Sequence, residues 1–123
     1  MTEYVLIESR DPFESRDTEF VEQTAIAIKE RGHRVTVFLL QNGVFAARKT
    51  TVRLQRLTDA GVILLADDFS LRERGITAAE LAQGVQESGI YFSPASMLGV
   101  RQEGKKFLFR LCCPDRYARF GLP

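Results

Sequence analysis

Three short apolar runs, separated by stretches with helical periodicity, constrain this chain more than any other feature. The first is Tyr4, Val5, Leu6 and Ile7 followed by Glu8, and it is stopped by Ser9, Arg10, Asp11 and Pro12. The second covers residues 34–40 and is apolar on successive positions in its latter half. The third runs from Val62 to Ala66. Runs without in–out alternation are expected of strands covered on both faces. Between the first two, Phe20, Val21, Thr24, Ala25 and Ile28 recur at spacings of three and four. Glu19 and Glu22 come early, Lys29 and Arg31 come late, and Gly32 stands where a left-handed cap belongs. The spacing predicts a helix over 17–31. Val52, Leu54 and Leu57, with Arg53 and Arg56 between them, predict a shorter helix over 51–59 that ends at Gly61. Asn42-Gly43 is a hairpin signal, but no matching strand follows, so it reads as the end of the second strand. Residues 44–50 fit no single pattern.

Strand–helix alternation with right-handed crossovers predicts an α/β fold, a three-layer sandwich whose mainly parallel sheet of about five strands is flanked by helices. Beyond Ala66, Ser70 with Glu73 and Thr77 with Glu80 have capping-box spacing, and Gly75 separates them. Leu81, Ala82 and Val85 predict helix over 78–86. Pro94 limits where a helix can begin in 90–102. Residues 106–111 read as a further strand, and the last twelve residues as an irregular tail. At 123 residues the chain fits one domain. We place it at 1–111, with the tail 112–123 packing on it or on a neighbouring subunit.

Seventeen Lys and Arg against sixteen Asp and Glu leave a formal charge of +1. With no basic block, nucleic acid is not an expected partner. No apolar run reaches bilayer-spanning length, so no membrane partner is expected. Met1-Thr2-Glu3-Tyr4 does not read as a secretory signal. The expected location is cytoplasmic. Cys112 and Cys113 are adjacent and make no disulfide framework. His33, the only histidine, sits in the turn before the second strand, away from any expected site. No metal set and no phosphate-loop motif occur, and no cofactor is expected.

Parallel sheets bind ligands beyond the carboxyl ends of their strands. Segments 9–13, 41–44 and 67–70 are therefore expected to meet there. They supply the candidate ligand-binding residues Ser9, Asn42, Gly43, Asp67 and Asp68, and Arg74 follows shortly after. Two carboxylates facing one cleft would disfavour each other's ionisation and could do acid–base work. The simpler alternative is structural. Asp68 ends the strand, Asp67 accepts backbone N–H bonds or pairs with Arg72 or Arg74, and Ser70 caps a helix. Arg74 has the planar fork that suits a carboxylate or phosphate. Cys112 and Cys113 are expected to be inert thiols unless Arg110 or Arg116 lowers their pKa.

Residues 4–13, 35–44 and 61–76, with 105–108, resemble the DsrE/DsrF-like sulfur-relay family of YchN-like fold. The most specific stretch is Ser70-Leu71-x-x-Arg74-Gly75-Ile76. The resemblance implies a cytoplasmic α/β protein that assembles as a homo-oligomer, a trimer or hexamer, and works with a sulfur-relay protein partner. Relay members of that family carry persulfide on a cysteine eight residues before the glycine of the Arg-Gly pair. Here that position is Asp67, which has no sulfur. The resemblance thus implies a non-catalytic or regulatory subunit that binds a small ligand or a protein. The alternative is a sulfurtransferase using Cys112 or Cys113. Tyr91, Phe92, Met97, Tyr117 and Phe120 supply apolar surface for a subunit interface.

Overall fold

The computed structural model describes residues 3–51 and 54–88, together with the strand backbones 105–110 and 117–120. Its strands are β1 (Glu3–Glu8), β2 (Arg34–Leu39), β3 (Ile63–Asp67), β4 (Val85–Ser88), β5 (Lys105–Arg110) and β6 (Tyr117–Phe120). Its helices are α1 (Asp17–Glu30), α2 (Gln55–Asp59) and α3 (Asp68–Glu73), with 3-10 turns at Gln41–Ala47 and Ala78–Glu80. The sheet order is β4-β3-β2-β1-β5-β6. β4 through β5 are mutually parallel, and β6 runs antiparallel along the β5 edge.

The main core lies on the face where Leu6, Val35, Val37, Leu39, Leu64 and Ala66 point. Val21 and Ala25 of α1, Leu57 of α2, Leu71 of α3 and Val44, Ala46 and Ala47 of the first 3-10 turn close over them. Val5, Ile7 and Phe38 form a second buried cluster on the opposite face, with Leu40 and Leu65 against it. Burial on both faces explains why β1 and β2 read as unbroken apolar runs.

Two helices end in the same way. Gly75 N–H donates to the Arg72 carbonyl and Ile76 N–H to the Leu71 carbonyl. Gly61 and Val62 repeat the pair on Thr58 and Leu57. Both are Schellman ends, and the residues that close them, Ile76 and Val62, are buried in the same core cluster as Leu71 and Leu57. Gly75 takes φ +66°, a conformation that costs other residues more than glycine.

Three expectations are corrected. Ser70 does not cap α3. Asp67 is the cap, accepting from Ser70 N–H at 3.0 Å, and the helix starts at Asp68. The expected helix over 78–86 shrinks to one 3-10 turn, and Val85 opens β4. The reason is that the backbone there bonds elsewhere. Lys49 N–H donates to the Glu80 carbonyl and Ala82 N–H to the Ala47 carbonyl, each at 2.8 Å. Finally, part of the tail read as irregular, Tyr117–Phe120, is a strand paired to β5. Expectations for residues 90–102, including Tyr91, Phe92, Pro94 and Met97, and for Cys112 and Cys113 lie outside the described residues.

Candidate functional site

The strand register puts Glu8, Leu39, Ala66 and Arg110 in one row at the carboxyl end of the sheet, with Asp67 and Ser88 paired just beyond. The exit segments of β1, β2 and β3 meet at this rim. Leu40 N–H donates to the Glu8 carbonyl at 3.0 Å. Gly43 packs so closely on that carbonyl that a Cβ would collide with it. Only glycine allows the approach. The β2 exit is tied in turn to the β3 exit, because Gln41 N–H donates to Ser70 Oγ at 2.9 Å. Gln41 pays for this turn with φ +51°, a strained value for a residue with a Cβ.

Asp67 stands at the centre and is 1% exposed. Its Oδ2 accepts from Ser70 N at 3.0 Å and from Ser70 Oγ at 2.6 Å. Ser70 Oγ therefore passes a chain of hydrogen bonds from the Gln41 amide to the aspartate. The other carboxylate oxygen, Oδ1, is buried and has no hydrogen-bond partner among the described residues. Of the partners weighed for Asp67, a backbone N–H is correct, and the companion is Ser70 rather than Arg72 or Arg74.

Asp68 leaves Asp67 immediately. It is half-buried in the first turn of α3 and lines an open groove with Arg72, Gly75, Ile76, Thr77, Ala78 and Glu87. The two acidic side chains thus serve different places. Arg74 bends the other way, with Nε donating to Asn42 Oδ1 at 3.0 Å and Nη1 to the Ser70 carbonyl at 3.3 Å. Asn42, Gly43, Asp67 and Arg74 accordingly form one connected group, with Ser9 behind Gly43 and buried. His33 is at the far end of the sheet, edge-on to Tyr4 at 5.3 Å.

The residue reading missed Glu8. Its side chain is 1% exposed, and Oε1 accepts from Arg10 N–H at 2.7 Å. It lines a small cavity with Thr18, Val21, Glu22 and Leu57. A carboxylate closing an apolar strand was the available signal. Phe45 and Arg48 were missed too, because 44–50 carried no period.

No protein-family model matches the chain, and no curated protein matches it. Solved structures do match. The ychN protein from E. coli superposes with a TM-score of 0.65 over 73% of this chain and 86% of its own, at 21% identity. The fold is YchN-like. A protein of unknown function from Methanobacterium thermoautotrophicum gives a TM-score of 0.69 over 89% of this chain and 100% of its own, at 17% identity. At these identities the likeness speaks for architecture, and that architecture is the one the DsrE/DsrF resemblance implies. None of the described helices is long and apolar enough to cross a membrane.

Proposed function

We propose that this chain is a cytoplasmic DsrE-like subunit that binds a small ligand or partner protein at the Asp67 rim and carries no sulfur itself. The observation behind this reading is the state of Asp67. The family resemblance puts the persulfide cysteine at this position. The aspartate is buried, and it accepts two hydrogen bonds from Ser70 at one oxygen. A carboxylate used this way is architecture. It fixes the start of α3 and, through Ser70, the β2 exit. Ser9, Asn42, Gly43, Asp67 and Arg74 are the residues we assign to the binding rim, and Asp68 to the groove beside it. The subunit works as a homo-oligomer, a trimer or hexamer, alongside a sulfur-relay protein.

A second reading has one observation in its favour. The strand residues that bracket both thiols, Arg110 and Tyr117, pair with each other, and Arg110 pairs with Glu8 at the carboxyl rim. In the sequence, Cys112 and Cys113 fall between these two paired residues. Persulfide carried there would need no help from Asp67.

Incubation with a small-molecule persulfide donor, then alkylation and peptide mass mapping, separates the two. The first reading expects no added sulfur on either cysteine of the folded chain. Persulfide on Cys112 or Cys113 would replace it with the second.

A further inference from the structure

Phe45 holds two guanidinium groups. Arg48 Cζ lies 5.0 Å from the ring centroid and Arg74 Cζ lies 5.9 Å from the same centroid. All three side chains belong to half-buried residues. Each arginine is anchored by its Nε, Arg48 to the Phe45 carbonyl at 3.2 Å and Arg74 to Asn42 Oδ1 at 3.0 Å. Anchoring at Nε fixes the plane of each fork. Most of the remaining N–H donors are uncommitted among the described residues, since a guanidinium carries five. Among the described residues the one ion pair either arginine makes is Arg74 with Glu73, at 4.0 Å. That carboxylate is 54% exposed and sits at the limit of a contact.

Two like charges gathered on one ring repel each other, and the repulsion is stronger where water is partly excluded. An anion placed against both removes it. We propose that Arg48 and Arg74, held by Phe45, form a binding site for a doubly charged oxyanion of the phosphate type. The charge on the site matches a dianion. The planar, Nε-anchored forks match oxyanion geometry and lose little freedom on binding. The part of Phe45 left exposed is apolar and would meet an organic part of the ligand. The site extends the rim, sharing Arg74 and Asn42 with it, but it does not depend on the role given to Asp67.

The test is an NMR titration at constant ionic strength, following the arginine Nε–H signals and the amides of residues 45–48. The probes are inorganic phosphate and phenyl phosphate, with sodium chloride as control. The site predicts saturable shifts at both Arg48 and Arg74 with phosphate. It predicts an affinity loss of about tenfold or more in Arg48→Gln, the size expected for a lost charge-assisted bond. Arg48→Lys keeps the charge without the fork and is expected to fall between. Arg72→Gln, an exposed residue of α3, is expected to bind as the wild type. Tighter binding of phenyl phosphate than of inorganic phosphate identifies a larger phosphorylated ligand lying over Phe45. Equal binding identifies the free anion. Shifts that chloride reproduces, or phosphate affinity unchanged in both Arg48→Gln and Arg48→Lys, would overturn the proposal.

Discussion

Asp67, Ser70 and Gly43 carry the rim between them, and each fails in its own way when changed. Ser70→Ala deprives the Gln41 amide and Asp67 Oδ2 of a shared partner. The expected cost is about 1–3 kcal/mol, the usual loss for stranding a buried polar group. Asp67→Asn keeps an acceptor at the helix cap and is expected to cost less than Asp67→Ala, which removes the cap for about 0.5–2 kcal/mol before counting Ser70. Gly43→Ala drives a methyl into the Glu8 carbonyl, and backbone can yield only by moving β1. We expect about 3 kcal/mol, the upper range of overpacking. Gln41→Gly relieves the positive φ and is expected to stabilise by up to about 1 kcal/mol. Urea midpoints at unchanged slope check all four. At this scale the sequence was partly legible. Adjacent aspartates after a strand marked the place, although the two side chains turn out to serve different parts of it. The cap was misplaced by three residues because Asp67-x-x-Ser70 and Ser70-x-x-Glu73 have the same spacing. Tertiary contact with Gln41 decides between them, and spacing alone cannot express that contact.

The elements followed their periodicity where burial was strong. β1, α1, β2 and β3 match the apolar runs and the helical stripe, since both sheet faces are covered and α1 buries Val21 and Ala25. Segments whose backbone bonds are long-range were not legible. Leu81, Ala82 and Val85 have helical spacing, yet the Glu80 carbonyl and the Ala82 amide serve Lys49 and Ala47. The 3-10 turn Gln41–Ala47 likewise follows from Gly43 docking on β1, which no local pattern encodes. Gly75 tests the account of helix ends. A Cβ there meets nothing within 4 Å, so Gly75→Ala costs only backbone strain, about 1 kcal/mol. Leu71→Ala, which empties the core beneath the same helix, is expected to cost about 2–5 kcal/mol. A Gly75→Ala cost as large as that of Leu71→Ala in thermal melts would contradict the Schellman assignment.

For the whole molecule, the sheet order places β1 and β2 at the interior, each paired on both sides by parallel strands. Their amides are expected to exchange slowest with solvent, near the global unfolding limit. The strand order itself was not legible, because parallel crossovers are compatible with several orders. The account rests on one rim joined across strands, with Asp67 as part of its framework. Hydrogen exchange at the Gln41 amide, measured in the wild type, Ser70→Ala and Asp67→Ala, tests this most directly. If the carboxylate holds Ser70 and Ser70 holds the β2 exit, Gln41 exchange should rise about five- to tenfold in both variants, as one lost hydrogen bond implies. Unchanged exchange at Gln41 in both would mean that the exits of β2 and β3 are independent and that Asp67 is not what joins them.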